Sequence, residues 1–215
     1  MAYTLDKLRI VLADDHAVVR MGFRLLLEGA GATIAAEADS GEAALTAFTE
    51  HRPDALVMDV SMPGIGGLAA LERLRAHEPG ARVLMLSAHD DVQIPSRALR
   101  AGATGYLSKR AQPQEFVRAV GIVARGQRYL DAELAPQLAL AQLGGASHPT
   151  DALTDKELAV FLQLARGRSV AEVAHIHKLS PSTVGTHLYH IKQKLNANNA
   201  AELALIAVRA GLIDA

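Results

Sequence analysis

Apolar residues recur with two alternating spacings along residues 8–126. Short apolar runs predict five β-strands, at 8–13, 32–37, 54–58, 82–87 and 104–108. Between them, apolar residues at helical spacing predict five helices, at 17–29, 41–51, 66–77, about 92–101 and 112–125. Because the central runs are apolar throughout, we expect a parallel sheet that is covered by helices on both faces. Residues 1–126 are therefore predicted to form an α/β domain.

Pro95 interrupts the fourth of these predicted helices. Proline has no backbone N–H, and it disfavours helical geometry at the residue before it, here Ile94. We therefore expect this helix to start near Pro95 or to be kinked there, after a longer mobile loop.

The pattern changes after Gly126. Residues 131–142 favour a short helix and the stretch 144–150, "GGASHPT", indicates a flexible segment, so 127–150 are assigned to a linker with a short helix. From 151 to 215 there is no strand pattern. Four helix starts are marked instead by capping residues: Thr154 with Glu157, Ser169 with Glu172, Ser180 with Pro181, and Asn199 with Glu202. We expect a small all-α domain of four helices.

Composition narrows the classes of function only slightly. The 215 residues carry a formal net charge of −1 and include no cysteine, which excludes disulfides, a thiol nucleophile and a cysteine metal site. No apolar run reaches the ~18 residues of a membrane span, and the first residues lack the pattern of a signal peptide. We therefore expect a cytoplasmic protein without a membrane partner.

Polar side chains follow four of the predicted strands, at the end where ligands collect in open parallel sheets. With the flavodoxin-like strand order 2-1-3-4-5, strands 1 and 3 are neighbours. Three carboxylates, one hydroxyl and one amine then meet at one rim: Asp14, Asp15, Asp59, Ser87 and Lys109. Mg²⁺ prefers such carboxylates. A carboxylate held beside that ion and a lysine is suited to accept a phosphoryl group, because both cations neutralise its charge. A single strand-end Asp is more often a solvated loop residue.

Residues 8–126 resemble the receiver domain of two-component response regulators through "VLADDH", "LVMDVSMPGIGGL", "VLMLSAH" and "AGATGYLSK". The resemblance implies that Asp59 accepts a phosphoryl group from a sensor histidine kinase. It also implies that Mg²⁺ is bound by Asp15, Asp59 and the backbone carbonyl of Ser61, with Asp14 supporting through water. Ser87 and Lys109 would contact the acyl phosphate, and Tyr106 would be the aromatic side chain that changes rotamer. A receiver-like fold that is never phosphorylated is the alternative.

Residues 167–195 favour a helix-turn-helix, with a second helix that begins at Ser180-Pro181. One face of this helix is apolar and carries Val184, Leu188, Ile191 and Leu195. The opposite face is rich in hydroxyls, donors and cations, which suit phosphates and base edges. The residues expected to contact DNA are Ser182, Thr183, Gly185, Thr186, Tyr189, His190, Lys192 and Lys194. A helical hairpin used only for protein contacts is the alternative.

Residues 151–212 resemble the DNA-binding domain of NarL/FixJ/LuxR-type regulators through "LTDKELAVF", "LSPSTVGTH" and "IKQKLNANNAAELALIA". Details such as "GYLSKRAQPQEF" and "ELALIAVRAGLI" look closest to the GacA/UvrY-type global activators. The family often has Lys at the position of Ala171, and Lys or another polar residue at that of Gly185, so two frequent DNA contacts are absent here. The resemblance implies a transcription regulator that binds double-stranded promoter DNA as a homodimer, with pairing through the last helix at Leu203 and Ile206.

Two other classes of function stay open at this point. One is an aspartyl-phosphate type of phosphohydrolase, although such enzymes resemble Asp-x-Asp on the first strand rather than adjacent carboxylates. The other is a receiver-linked interaction module that never binds DNA. Gly185 also has two interpretations: a tolerated glycine at an exposed site, or a gap that lets the helix approach the groove closely.

Overall fold

The computed structural model describes residues 4–88, 93–131, 134–135, 149–177, 179–209 and 212–213. The chain divides into two compact units, 1–143 and 144–215. Within the described residues, no helix has the length and apolar character needed to span a membrane.

The first unit is built on a parallel sheet whose strands lie close to the predicted positions. These are β1 (Arg9–Ala13), β2 (Thr33–Ala38), β3 (Ala55–Asp59), β4 (Val83–Ser87), β5 (Gly105–Ser108) and β6 (Tyr129–Leu130). The strand order is β2-β1-β3-β4-β5-β6, which confirms the predicted order for the first five strands. All residues of β3 and β4 are buried, as expected for central strands covered on both faces.

The sixth strand corrects the predicted count of five. Tyr129 and Leu130 pair in parallel with Gly105 and Tyr106 of β5, at positions that the sequence pattern assigns to the linker. The backbone amides of Tyr129 and Asp131 donate to the carbonyls of Thr104 and Tyr106, both at 3.2 Å. A two-residue strand is held by such backbone bonds, and it leaves no side-chain periodicity that a sequence pattern detects.

Five helices connect the strands, as predicted. They are α1 (Ala17–Gly29), α2 (Gly41–His51), α3 (Gly67–His77), α4 (Gln93–Arg100) and α5 (Pro113–Ala124). Pro95 lies in α4, whose described part begins at Gln93, so the helix start expected near Pro95 stays a prediction. The loop expected before it lies outside the described residues.

The core beneath α1 and α5 is formed by alternate residues of the central strands. Ile10, Leu12, Val57 and Leu84 are among its buried side chains. The ring of Phe116 on α5 also belongs to this core, and it stacks on Phe23 of α1 with 4.4 Å between the ring centroids. This rigid layer fixes the carboxyl ends of the strands.

The described part of the second unit is helical, as predicted. A short 3₁₀ turn over Pro149–Ala152 precedes α6 (Asp155–Ala165), α7 (Val170–Ile176), α8 (Pro181–Leu195) and α9 (Ala200–Arg209). Thr154 and Ser169 form complete capping boxes, and Ser180 caps α8 with Pro181 in its first turn. Most of the short helix expected at 131–142 lies outside the described residues.

Candidate metal centre and nucleic-acid interface

The predicted polar residues meet at one rim of the sheet. Asp59 is the last residue of β3 and Ser87 the last residue of β4, while Asp14 and Lys109 directly follow β1 and β5. The parallel register places Met58 beside Ala13, and Ser108 beside Ser87. The strands therefore bring these side chains together, as the sequence predicted.

Lys109 joins two of the three carboxylates. Its Nζ lies 2.7 Å from Oδ2 of Asp59 and 2.6 Å from Oδ2 of Asp14. Both aspartates are 2% exposed. Two carboxylates this close to each other repel, so the ammonium between them offsets a repulsion that burial would make large.

The pKa values of this pair are shifted by their surroundings. Burial raises the pKa of the Asp59 carboxyl, and the attraction of Lys109 reverses only part of that rise. For Lys109, burial favours the neutral amine, but the charge of Asp59 and the hydrogen bonds from Asp14 and Asp59 outweigh it, so its pKa is raised. Lys109 therefore stays charged at neutral pH.

Asp14, Asp15 and Asp59 fit a hard divalent cation. Together with His16, each offers one ligand atom, and these four atoms lie within 4.8 Å of one another. Carboxylate oxygens in such a group are the ligands that Mg²⁺ takes. The amide of Ser61 donates to Oδ1 of Asp59 at 3.1 Å, which holds this loop beside the site. The role of the Ser61 carbonyl as a ligand stays a prediction.

His16 is a neighbour of this site that the sequence analysis did not single out. Its Nδ1 lies 2.7 Å from Oδ1 of Asp15 and 3.5 Å from Oδ1 of Asp14, and its backbone amide donates to the same Asp14 oxygen at 2.8 Å. Its position directly after the two aspartates was the only signal in the sequence. The contact restrains the Asp15 carboxylate at the rim.

Ser87 and Tyr106 are the remaining predicted receiver residues. Ser87 is fully buried, and its carbonyl accepts from the amide of Lys109 at 2.8 Å. Tyr106 is also fully buried, so its ring already lies inside the domain in this structure. Its backbone carbonyl accepts from the amide of Asp131, so the strand of Tyr106 is joined directly to the segment that leads out of the domain.

Gly67 lets the start of α3 pack against the backbone of Asp59. A Cβ atom at this position would lie 2.0 Å from the Asp59 carbonyl oxygen. The Gly67 amide donates to the carbonyl of Val60 at 3.0 Å. This contact fixes the loop after Asp59, and only a glycine allows it.

The α8 helix presents the two faces that its sequence predicts. Val184 and Ile191 are fully buried and Leu195 is nearly so, whereas Leu188 is half-buried. Most of the predicted DNA-contact residues are exposed: Ser182, Thr183, Gly185, Thr186, Tyr189, His190 and Lys194. No heavy atom lies within 4 Å of a Cβ built on Gly185, which leaves open space at this point of the helix.

Several of these residues have contacts within the chain. The backbone amide of Thr183 donates to Oγ of Ser180, the cap of α8, at 3.0 Å. Lys192 Nζ donates to the carbonyl of Asn198 at 3.0 Å. Lys194 Nζ donates to Oε2 of Glu157 on α6 at 2.6 Å, a contact that the sequence analysis did not anticipate.

The surface predicted for pairing of two copies needs a correction. Leu203 is only 1% exposed, because α9 packs it towards α6, so it belongs to the core of its own unit. Ile206 is half-buried. Leu205 is the exposed large apolar residue of α9, with 47% of its surface accessible. Helical spacing alone did not separate the two faces of this short helix, which is apolar at almost every position.

Both units of the chain match families of known proteins. Residues 10–121 match the family model of the response regulator receiver domain, and residues 151–207 match that of the luxR family of bacterial regulatory proteins. The chain is 38% identical to the response regulator GacA of Pseudomonas aeruginosa over 211 residues, which cover 97% of this chain and 99% of that protein. The chain belongs to the two-component response regulators.

Other response regulators support this membership. UvrY of Escherichia coli is 38% identical over 97% of this chain and 97% of its own length. The crystal structure of a LuxR-family response regulator from Aurantimonas is 34% identical, with a TM-score of 0.60 over 63% of this chain and 98% of that chain. RcsB of Salmonella enterica, bound to a promoter, shares the fold with a TM-score of 0.61 at 23% identity, over 94% of this chain and 98% of its own.

Membership decides between the functions that the sequence left open. This response regulator combines a receiver with a luxR-type domain, so it is a DNA-binding regulator of transcription. The family is not a class of enzymes, which sets aside the phosphohydrolase alternative. The predicted resemblance to GacA and UvrY is confirmed.

Proposed function

We propose that Asp59 is the phosphoacceptor of this response regulator and that its phosphorylation controls DNA binding by α8. One observation carries the assignment. Asp59 shares Lys109 with Asp14, and its carboxylate lies in the same group of ligand atoms as Asp14 and Asp15. A carboxylate placed beside a cation site and a charged lysine has the surroundings that phosphoryl transfer requires.

The chemistry assigned to these residues follows from their charges. An oxygen of Asp59 attacks the phosphorus of a phosphohistidine on a sensor kinase, the N–P bond breaks and the histidine leaves. Mg²⁺, held by Asp14, Asp15, Asp59 and the Ser61 carbonyl, supplies positive charge to the transferring group when it is bound. Lys109 supplies a second positive charge, since its Nζ lies 2.7 Å from Oδ2 of Asp59. Self-catalysed transfer to and from Asp59 is part of this proposal.

Ser87, Lys109 and Tyr106 are the proposed switch residues. A phosphoryl group on Asp59 adds acceptor oxygens, so Lys109 and the hydroxyl of Ser87 gain new hydrogen-bond partners. Tyr106, on the neighbouring strand β5, then changes its rotamer. Support comes from the backbone. The backbone amide of Lys109 donates to the carbonyl of Ser87, and the backbone amide of Asp131 donates to the carbonyl of Tyr106. The side chain of Asp131 also accepts from the Ser108 amide at 3.4 Å. A shift of β5 therefore acts directly on the segment after β6.

The exposed face of α8 is the proposed DNA-reading surface. Thr186, Tyr189 and His190 are exposed in its middle, where they suit base edges, and Lys192 lies near its end, where it suits a phosphate. We propose a homodimer on promoter DNA that pairs through the exposed side of α9 around Leu205 and Ile206.

The proposed domain bounds are 1–126 for the receiver, 127–150 for the linker and 151–215 for the DNA-binding domain. The proposed location of the protein is the cytoplasm.

Phosphoryl uptake from acetyl phosphate tests the assignment of Asp59. The Asp59→Asn variant should take up none, since an amide cannot form the acyl phosphate. Asp39→Asn is a matched control, because Asp39 also follows a strand but is exposed and lies outside the group of candidate ligand atoms, and it should behave as the wild type. An acid-labile phosphate on Asp59→Asn, found by mass spectrometry, would disprove the assignment.

Thermal unfolding in magnesium tests the metal site. Mg²⁺ should raise the melting temperature of the wild type, because it relieves repulsion among the three carboxylates and binds only the folded chain. Asp15→Ala should remove this increase, and Asp39→Ala should retain it. A wild-type melting temperature that does not change up to millimolar Mg²⁺ would contradict the site.

A further inference from the structure

Glu157 is a buried carboxylate that serves two purposes at once. It lies in the first turn of α6, is 4% exposed, and its Oε2 accepts from the backbone amide of Thr154 at 2.8 Å. In return, the Thr154 hydroxyl accepts from the Glu157 amide at 3.3 Å, which completes the capping box. The same Oε2 accepts from Nζ of Lys194 at 2.6 Å.

The contact with Lys194 joins two helices that pack together. Lys194 lies in the last turn of α8, between the buried residues Ile191 and Leu195 that face the core. A second α8 side chain, His190, approaches the other carboxylate oxygen with Nδ1 at 4.0 Å from Oε1. The two oxygens of the Glu157 carboxylate therefore approach two side chains of α8, His190 and Lys194, which are four residues apart on one face of the helix.

Electrostatics show that this carboxylate stays ionised. Burial raises the pKa of Glu157, but the hydrogen bonds from Lys194 and Thr154 together lower it below the ordinary value. The ion pair of Glu157 with Lys194 is partly buried, and the same carboxylate also bonds to the Thr154 cap. We therefore expect its geometry to be better defined than that of an exposed ion pair.

A second capping box in the same unit shows what is special about Glu157. Glu172 forms the same reciprocal bonds with Ser169, at 2.8 and 3.3 Å, but its side chain is exposed on α7. The two glutamates therefore have the same local function. They differ in burial and in the ion pair with α8.

We propose that Glu157 is a positioning residue for DNA binding, which fixes the roll of α8 on α6 through Lys194. Lys194 is then occupied by this carboxylate, and it is not the phosphate contact that the sequence predicted. The inference rests on the proposed role of α8 as the DNA-reading helix. Thr186 and Tyr189 lie on the same helix, so a change in its roll moves both side chains relative to the base edges.

The test compares four single variants of the full chain, and the double variant at Glu157 and Lys194, on two DNA probes. The specific probe is a duplex selected from a random-sequence pool by the wild-type chain, and the non-specific probe is the unselected pool. Glu157→Gln retains an oxygen for the Thr154 cap but removes the charge, and Glu172→Gln is its matched control. Lys194→Met removes the partner, and Lys192→Met is the control for a phosphate contact. Circular dichroism confirms that each variant is folded at the temperature of binding.

We expect Glu157→Gln and Lys194→Met to weaken specific binding about tenfold, equivalent to about 1.4 kcal/mol, with little change on the unselected pool. The double variant should lose no more than either single variant, because the two residues act as one unit. Glu172→Gln should bind as the wild type. Lys192→Met should weaken binding to both probes and reduce the salt dependence by about one ion, whereas Lys194→Met should leave that dependence unchanged.

Three results would overturn the inference. One is a Lys194→Met variant that loses about one ion of salt dependence on both probes, as a phosphate contact would. Another is a Glu157→Gln variant that discriminates the two probes as well as Glu172→Gln does. If Glu157→Gln does not fold, the Lys194→Arg variant is used in its place. An arginine preserves the ion pair, so this variant should restore the specific binding that Lys194→Met loses. Failure to restore it is the third result that counts against the ion pair. Thr186→Ala and Tyr189→Ala test the proposed role of α8 separately, since unchanged specific binding in both would reject that role.

Discussion

Lys109 shows how much of the receiver site depends on a single residue. Its ammonium lies within 2.7 Å of two buried carboxylates, Asp14 and Asp59, which belong to different strands. Without it, two like charges would face each other in a region with little water. The same amine is therefore both a structural counter-ion in the unphosphorylated chain and the proposed partner of the phosphoryl group.

This double role predicts the behaviour of Lys109→Met. Breaking a buried ion pair by removal of one partner costs about 3–5 kcal/mol, so the melting temperature should fall clearly in the absence of Mg²⁺. Mg²⁺ should then raise it more than in the wild type, because the cation replaces part of the lost charge. Thermal melts with and without Mg²⁺ measure both effects.

Lys7→Met provides the control for this experiment, because Lys7 is exposed. Its melting temperature and its response to Mg²⁺ should match those of the wild type. If Lys109→Met melts as the wild type does without Mg²⁺, Lys109 has no role as a counter-ion.

At the scale of elements, two glycines in helices predict opposite effects of the same substitution. A Cβ on Gly67 would lie 2.0 Å from the carbonyl oxygen of Asp59, whereas nothing lies within 4 Å of a Cβ on Gly22 in α1. Gly67→Ala should therefore destabilise the receiver and displace the loop after Asp59. Gly22→Ala should stabilise α1 by up to about 1 kcal/mol. Chemical denaturation of both variants measures the difference, and a Gly67→Ala variant as stable as the wild type would contradict the close packing.

Gly185 on α8 carries the third prediction. A Cβ there meets open space, so Gly185→Ala should raise stability by up to about 1 kcal/mol. If the glycine is only tolerated, specific DNA affinity holds or improves. If the missing side chain lets the helix approach the groove, specific affinity falls while non-specific binding persists. Melting and binding measured on the same variant separate the two cases, and a loss of stability would contradict the open environment.

Local sequence signals predicted most elements well, because each was decided by nearby residues. The bounds of α1 and α2 match the apolar spacing, and the caps at Thr154, Ser169 and Ser180 form as their sequences indicate. The rim of carboxylates followed from strand ends and strand order. The errors involve contacts between distant segments. The β6 strand exists through backbone pairing with β5, and the partner of Lys194 lies 37 residues away.

The face of α9 could not be predicted for a related reason. Apolar residues occur at almost every position of this helix, so their spacing does not define one side. Only packing against α6 shows that Leu203 is buried and Leu205 exposed. Which apolar residue is exposed on α9 is therefore a property of the folded unit and not of the pattern.

At the scale of the whole molecule, the two units combine two kinds of chemistry on one chain. The first holds a buried carboxylate beside a lysine and a group of candidate metal ligands, and the second presents a capped helix with an exposed polar face. The chain that leaves the first unit is paired to β5 through β6, next to Tyr106. This connection offers the proposed phosphorylation of Asp59 a covalent and hydrogen-bonded route towards the linker.

Capture of genomic DNA fragments by the full chain tests the central claim most directly. The wild type and Asp59→Asn are each incubated with fragmented DNA of the source organism and Mg²⁺, with and without acetyl phosphate, and the bound fragments are sequenced. We predict that acetyl phosphate increases the enrichment of a defined set of fragments by the wild type and leaves Asp59→Asn unchanged. Equal enrichment by the wild type in both conditions, or a response of Asp59→Asn equal to that of the wild type, would contradict the account.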